Sequence, residues 1–581
     1  MSDLKDRDIP APGAAPMPAA NAAALLRRNA DDPSIRDRPA VKFGDQVWTH
    51  GEYVAECNRF ANLFLAHADG QPLHVAVLLD NTPDYLFALG GAALSGSAIV
   101  GLNHTRRDEH LRRDLEHTHC RLVLTEPRHE ALLAPIAGSL PDVLVSHRFD
   151  EAGERSGLGA DLDDALGAVG RDDPGLEPGP DTLWGLIFTS GTSDAPKAVI
   201  CSQRRFLVTG ARMSIIMDLG ADDVGYICMP LFHSNALMVG WAPSVVLGAA
   251  VGLARKFSAS GWLPDIRRYG STYFNYTGKP LAYILSTPER DDDADNPLRV
   301  AFGNEGSPEI VESFARRFGV EVIDSYGATE GGVAVNADAE ERPGALGQVP
   351  EHVKVVDEDG NEKPTATFDA AGRLLNAEES VGEIVNTAGA GPFEGYYNND
   401  AANERTQRFG WYWTGDLGYL DDDRYLFFAG RNADWIRVDG ENFPTQPIES
   451  AIARHPDLVL AAAYGVPDDQ AGDQVMAGLV LRDGASFDPA QFAAWLDAQD
   501  AVGPKWRPRY VRVLRDPPTT GTNKIVKRTL VHQKWRADRT GGDLVYVRGR
   551  DEPVYRAFTE EDERALHDSF KHYQRERFWD L

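Results

Sequence analysis

The sequence predicts an α/β fold: a large N-terminal domain of doubly wound, layered sheets with a β-rich subdomain, followed by a small α+β C-terminal domain. Three observations predict it. Short apolar runs alternate with amphipathic stretches from Pro39 onward, the pattern of strands joined by crossover helices. Three later runs end in Gly-containing polar turns, as strands around a nucleotide crevice do. After Trp435 the strand–helix pattern restarts as a small unit of its own. The boundary is placed near Arg431, giving domains 1–430 and 431–581.

Pro39–Phe43 and Gln46–His50 read as strands around the turn Gly44-Asp45. Tyr53, Val54, Phe60, Ala61, Leu63 and Phe64 recur on one face of a helix over Glu52–His67. Val75–Leu79 is a buried strand, a helix starts at Pro83, and Arg121–Thr125 is another strand. Residues 149–181, acidic and rich in Gly and Pro, read as a surface excursion. Gly225–Asn235 carries a strand into a turn tipped by His233, and Ser271–Gly278 is strand-like and aromatic. Leu298–Phe302 runs into Gly303-Asn304-Glu305-Gly306, and Val320–Asp324 into Ser325-Tyr326-Gly327-Ala328-Thr329-Glu330. The region from Gly382 is β-rich. In the last domain, helices are predicted at Ile448–Arg454 and Pro489–Ala498, and strands at Leu458–Val466 and Val475–Leu481.

Bulk properties exclude several function classes. A chain of 581 residues exceeds one core and divides into at least two domains. A formal net charge of −29 argues against a nucleic-acid or anionic-membrane surface. The 4 cysteines form no C-x-x-C pair, which fits free thiols in a reducing compartment. Residues 1–22 lack a cationic start followed by an apolar core, so no secretory signal is read and a cytoplasmic location is expected. Leu86–Leu102 and Leu237–Ala254 approach membrane-spanning length, but internal Gly, Ser and Pro make them core α/β units; peripheral membrane contact stays open.

The organising stretch is Thr189-Ser190-Gly191-Thr192-Ser193-Asp194-Ala195-Pro196-Lys197-Ala198, which follows the apolar run Leu183–Phe188. A strand that delivers hydroxyls, free N–H groups and one cation into a turn offers what a polyphosphate requires. It is not a Walker loop, because no Gly-Lys-Ser/Thr closes it. Alone it would read as a polar surface turn. The segments Ser325–Gly331, Trp413–Gly418, Gly430–Asn442 and Pro518–Arg528 decide otherwise. With them, in that order and over residues 25–540, the chain resembles the adenylate-forming superfamily of acyl-CoA synthetases, adenylation domains and luciferases. Pro196-Lys197-Ala198, Asn275–Gly278, Phe302–Gly306, Gly440-Glu441-Asn442 and the tail Val554–Asp562 resemble its long-chain and very-long-chain branch, which includes fatty-acid-transport-type and sterol-side-chain CoA ligases.

The resemblance implies two half-reactions. A carboxylate attacks the α-phosphate of ATP to give an acyl-adenylate and pyrophosphate, then the thiol of CoA displaces AMP. It implies that Thr189, Ser190, Gly191, Thr192, Ser193 and Lys197 cradle the β- and γ-phosphates, and that Ser325, Tyr326 and Gly327 hold the adenine, with Tyr326 stacked on it. Thr329 is expected on the α-phosphate and Glu330 on Mg²⁺, a hard ion that asks for few protein carboxylates. Asp416 is expected on the ribose hydroxyls, with Arg431 on ribose or phosphate and Phe428 over the nucleoside. Gly303, Asn304 and Glu305 would line the adenine edge and the acyl-pocket wall. Lys524 is expected to carry adenylation as a point charge between carboxylate and α-phosphate, while Lys527 and Arg528 read as solvated. His233 would stand at the junction of nucleotide and acyl sites, and Tyr276, Thr277 and Gly278 along the acyl tunnel. The small domain would rotate, withdrawing Lys524 and presenting Gly440, Glu441 and Asn442 to the thiol.

In isolation Asp416 reads as a turn residue, Glu330 as a surface carboxylate and Lys524 as a solvated lysine. The chain departs from the family pattern at Asp194, Ala433 and Asn523. Two other functions share the same residues or fold: an adenylating enzyme that passes its adenylate to a carrier protein or separate partner, and a non-catalytic fatty-acid uptake or binding protein.

Overall fold

The structure is a computed structural model that describes every residue outside 1–6, 151–152, 154–155, 190–195, 278, 305, 307, 337–341, 343, 370–373, 432–434, 439–440, 470–472, 500–501, 504, 521–524, 550–551 and 581. By its internal contacts the chain forms two compact units. One comprises Met1–Gly306, Val311–Ala334 and Ala388–Tyr412; the other comprises Ser307–Ile310, Val335–Thr387 and Trp413–Leu581.

The strands of the first unit are β1 (Pro39–Phe43), β2 (Gln46–Thr49), β3 (His74–Leu78), β4 (Ala98–Gly101), β5 (Leu122–Thr125), β6 (Asp142–Val145), β7 (Ala160–Asp161), β8 (Leu183–Phe188), β9 (Ala198–Ser202), β10 (Val224–Ile227), β11 (Ala250–Leu253), β12 (Tyr273–Thr277), β13 (Val300–Asn304) and β14 (Glu321–Gly327). One sheet runs β7-β6-β5-β3-β4-β8-β9, parallel except where β9 returns antiparallel to β8. A second contains the order β14-β13-β12-β10-β11-β1-β2, parallel until the hairpin β1–β2. Both are buried apolar sheets with crossover helices, as the alternating pattern predicts. Residues 149–181 are not wholly a surface excursion: Ala160–Asp161 adds a parallel strand to β6, and Leu162–Gly167 is helical.

The helix His50–His67 begins with a capping box, the Thr49 hydroxyl accepting from Glu52 N and the Glu52 carboxylate from Thr49 N. It packs on the helix Pro83–Ser95, every residue of which is buried. Gly90 and Gly91 make that packing possible: a Cβ there would lie 2.3 Å from Cys57 Sγ and 2.6 Å from Phe60 Cβ. Gly96, at φ 71°, then ends the helix before β4. The stretch Leu237–Ala254 resolves in the same manner: a π-helical segment Asn235–Trp241, the helix Ala242–Leu247, Gly248 at φ 64° and β11. Among the described residues no helix is long and apolar enough to cross a membrane.

In the second unit a β-rich sheet follows the order Gly347–Gln348, Tyr425–Arg431, Trp411–Leu420, Gly382–Asn386, Val353–Val356. A separate five-stranded sheet begins Leu458–Pro467, Asp473–Leu481, Tyr510–Val513, and helices Gln446–Ala453 and Pro489–Asp497 cover its core. Lys527 is not the solvated lysine the sequence suggests. Its ammonium donates to Thr445 Oγ1 at 2.8 Å and pairs with Glu449 at 3.0 Å. Glu449 Oε1 also accepts from Ala463 N at 2.7 Å, so one carboxylate ties two helices to the sheet. A bridge between Thr519 and Ile525 flanks residues 521–524.

Candidate active site

Each unit assembles part of the expected site. In the first unit, β8 and β9 form an antiparallel hairpin closed by Thr189 N donating to Lys197 O at 3.0 Å. Ser190, Gly191, Thr192, Ser193 and Asp194 lie outside the described residues. Thr189 and Lys197 are both half-buried, and the Lys197 ammonium sits 5.5 Å from the centre of the Tyr396 ring.

The second sheet reverses its order at β10, where β11 lies on one side and β12 on the other. Such a switch point opens a crevice at the carboxyl ends of the strands. The turn after β10 carries His233, whose ring lies 4.4 Å from that of Phe232. Two amides brace that turn. Asn81 Nδ2 donates to Met229 O at 2.9 Å and Asn81 Oδ1 accepts from Leu231 N at 2.9 Å, while Asn235 Nδ2 donates to Tyr276 O at 3.0 Å.

At the end of β12, Tyr276 is fully buried and its hydroxyl donates to Asp324 Oδ2 at 2.7 Å. Burial first, then the neighbouring carboxylate, pushes that hydroxyl well above its ordinary range, so it stays a donor. Asp324 also accepts from Gly306 N at 2.9 Å, and Ser325 Oγ donates to Gly303 O at 2.9 Å. Gly303 has to be glycine here because a Cβ would fall 2.3 Å from Tyr276 O. Thr277, also buried, pairs in register with Asn304 across β12 and β13. Gly278 and Glu305 lie outside the described residues.

From β14 the chain runs through Tyr326 and Gly327 into the turn bearing Thr329 and Glu330. Tyr326 and Thr329 are half-buried and Glu330 is buried. Ser234 and Thr329 share a hydroxyl–hydroxyl hydrogen bond at 2.9 Å. The Arg205 guanidinium, from the helix Gln203–Ile216, donates to the carbonyls of both Thr329 and Glu330. Tyr396 donates to Glu330 Oε1 at 2.6 Å, which leaves Oε2 for a cation. A buried carboxylate with one oxygen left over is a hard-oxygen ligand of the kind that fits Mg²⁺, an ion that asks for only one or two protein carboxylates.

A second carboxylate cluster, Asp80, Glu126 and His129, does not make a comparable cation site. Arg255 pairs with Glu126 at 2.7 Å, and Arg128 pairs with Asp80. Against a desolvation that would raise it, the bond and charge of His129, then Arg128, hold the Asp80 carboxyl at about 2. The arginines already supply the positive charge.

In the second unit Asp416 lies in the strand Trp411–Leu420, opposite Arg431. It is buried, its N–H donates to Thr414 Oγ1 at 3.0 Å, and Thr414 Oγ1 donates to Ile384 O at 2.8 Å. Gly415, at φ 76°, donates its N–H to Glu383 Oε1 at 2.8 Å, which fixes the strand backbone just before Asp416. Phe428, half-buried, pairs with Gly418. Glu441 and Asn442 open the second strand of the hairpin Trp435–Val438/Glu441–Pro444. Gly440, Lys524, Ala433 and Asn523 lie outside the described residues.

Asn81, Arg205, Ser234, Asp324 and Tyr396 were given no functional role by the sequence reading. Arg205, in Gln203-Arg204-Arg205, looks like any helix-surface arginine, and its burial comes only from packing. Tyr396 carried a faint signal in Gly395-Tyr396-Tyr397, an aromatic pair beside a glycine in a region without clear periodicity.

Known proteins resemble the chain over most of its length. The AMP-binding enzyme family model matches residues 26–397, and the AMP-binding enzyme C-terminal domain model matches 447–524. A steroid-22-oyl-CoA synthetase of Rhodococcus jostii is 45% identical over 547 residues, covering 93% of this chain and 96% of the relative. A medium/long-chain-fatty-acid–CoA ligase, FadD17, of Mycobacterium tuberculosis is 46% identical over 504 residues, covering 85% and 93%. The crystal structure of the anthranilate CoA ligase AuaEII with anthranoyl-AMP shares the fold at TM-score 0.75 and 21% identity, covering 91% of this chain and 98% of the other.

Proposed function

The chain belongs to the AMP-binding enzyme family and is an ATP-dependent acid–thiol ligase, and from that premise we propose that its acid is a hydrophobic carboxylate of the steroid side-chain class. One observation carries the choice: the steroid-22-oyl-CoA synthetase matches 93% of this chain at 45% identity. A medium- or long-chain fatty acid is the second reading, supported by the FadD17 ligase at 46% identity over 85% of the chain.

The enzyme uses ATP, Mg²⁺ and CoA. A carboxylate is a poor acyl donor because its leaving group would be oxide; adenylation supplies a better one. In our assignment the hairpin Thr189–Lys197 holds the β- and γ-phosphates, and Thr329 the α-phosphate, so that donors are in place before charge develops. Glu330 would hold Mg²⁺, which would supply positive charge against the phosphates. Tyr326 with Ser325 and Gly327 holds adenine, and Asp416, Arg431 and Phe428 hold the ribose side. Lys524 bridges the attacking carboxylate and the α-phosphate. His233, Tyr276, Thr277, Gly278 and the Gly303-Asn304-Glu305 turn bound the acyl site, with Tyr276 acting from the interior through its bond to Asp324. We assign 431–581 as the domain that turns between the halves and brings Gly440, Glu441 and Asn442 to the thiol. A cytoplasmic site of action is part of the proposal, consistent with free thiols at Cys57, Cys120, Cys201 and Cys228.

The test is thioester formation on a panel with CoA, ATP and Mg²⁺: a C22 steroid side-chain acid, palmitate, octanoate and benzoate. The reading expects the steroid acid to give the highest kcat/KM, with benzoate inactive. A preference for palmitate or octanoate would move the assignment to the fatty-acid reading. Benzoate as the best substrate would overturn both.

A further inference from the structure

Tyr396 lies between the phosphate hairpin and the turn that bears Glu330, and its backbone is pinned on two sides. Residues 395–397 add to the edge of β9, with Tyr396 opposite Val199, Tyr397 N donating to Ala198 O at 2.8 Å and Ile200 N to Gly395 O at 3.0 Å. Asn403 closes the other side: its Oδ1 accepts from Tyr396 N at 2.7 Å and its Nδ2 donates to Tyr396 O at 3.0 Å. The side chain so fixed is 5% exposed, touches Glu330 Oε1 through its hydroxyl at 2.6 Å, and offers its ring to the Lys197 ammonium at 5.5 Å. Tyr396 is thus in contact with both groups assigned above to the metal and the phosphates, yet no step of the reaction employs it.

We propose that Tyr396 is a positioning residue that couples the phosphate hairpin to the metal carboxylate. Its hydroxyl occupies Oε1 of Glu330 and so fixes the rotamer in which Oε2 meets the cation. Its ring seats Lys197 by a cation–π contact, which holds the ammonium beside the same site. Arg205 secures the main chain of Thr329 and Glu330, so rotation of the Glu330 side chain is the freedom left for Tyr396 to remove. A partner that orients a metal-binding carboxylate is commonly worth tenfold or more in metal affinity. The inference rests on the reading of Glu330 as the Mg²⁺ ligand.

The test is binding of ATP, without acid, by titration calorimetry in Mg²⁺ and again in EDTA, on wild type, Tyr396→Phe, Tyr396→Leu and Glu330→Gln, with melting curves to confirm folding. The quantity read is the ratio of the two affinities. Tyr396→Phe keeps the ring, so the ratio is expected to fall roughly tenfold while affinity in EDTA holds. Tyr396→Leu removes ring and hydroxyl, so affinity in EDTA falls as well. A ratio unchanged in Tyr396→Phe but collapsed in Glu330→Gln overturns the inference and leaves the metal assignment standing. A ratio unchanged in Glu330→Gln overturns the metal assignment, and the inference with it. Should Tyr396→Phe not fold, the same ratio in Tyr396→Leu decides: no fall there contradicts the proposal.

Discussion

Asp416 and Glu330 are both buried carboxylates, and that gives single substitutions sharp outcomes. Asp416→Asn keeps the shape and removes the charge that would accept both ribose hydroxyls. Charge-assisted hydrogen bonds contribute about 1.5–3 kcal/mol, so KM for ATP is expected to rise at least about tenfold with KM for the acid unchanged. Lys524→Ala is expected to lower adenylation by roughly a hundredfold or more, the usual cost of deleting a group that meets developing charge. Thiolysis of preformed acyl-adenylate should survive, because that half does not need the lysine; single-turnover assays of the two halves separate these outcomes. Asp416, Glu330 and Lys524 were singled out only through the resemblance of the segments that carry them; alone, each reads as a turn, surface or solvated residue. Tyr396 and Arg205 were not singled out, since a buried tyrosine and a buried arginine acquire their partners only through distant packing.

At the scale of elements, the hairpin β8–β9 shows what spacing can and cannot tell. The run Leu183–Phe188 announced a strand entering a polar loop, but nothing local showed that Ala198–Ser202 would fold back antiparallel to it. Register is a property of the pair. The same holds for Gly90-Gly91, which the sequence marks as breaks in an apolar stretch and which the structure uses inside a helix for close packing. There Gly91→Ala would gain at most about 1 kcal/mol in helix propensity. The new Cβ would meet Phe60 Cβ at 2.6 Å and Ala61 N at 2.9 Å, and overpacking costs about 1–3 kcal/mol. Overpacking wins, so Gly91→Ala should lower the denaturation midpoint; a higher midpoint would mean that the two helices can separate without loss. The surface excursion 149–181 was misread in part because a two-residue strand carries no periodicity of its own.

For the whole molecule, buried acids set the pH response. Asp114 has no exposed surface, and burial, opposed only in part by Arg106 and then Arg113, pushes its carboxyl up to about 7. The unfolded chain gives up that proton near 4 and the folded chain near 7, so the folded state holds more protons between these values. Stability from this group therefore falls as pH rises from about 4 to about 7 and is level beyond. Asp114→Asn should flatten that segment of the denaturation midpoint against pH; an unchanged slope would show that Asp114 titrates normally. The layered α/β class and the small C-terminal unit were predictable from alternation alone, whereas sheet order was not, because crossovers such as β10 to β11 and back to β12 leave no local trace.

The central claim is that one chain makes an acyl-adenylate and then discharges it to CoA. The most direct measurement is a rapid quench of the enzyme with acid, ATP and Mg²⁺, first without CoA and then after its addition. The account predicts a stoichiometric burst of pyrophosphate with enzyme-held acyl-adenylate, followed on CoA addition by thioester and AMP. Formation of ADP and phosphate, or a burst that CoA fails to discharge, would contradict it.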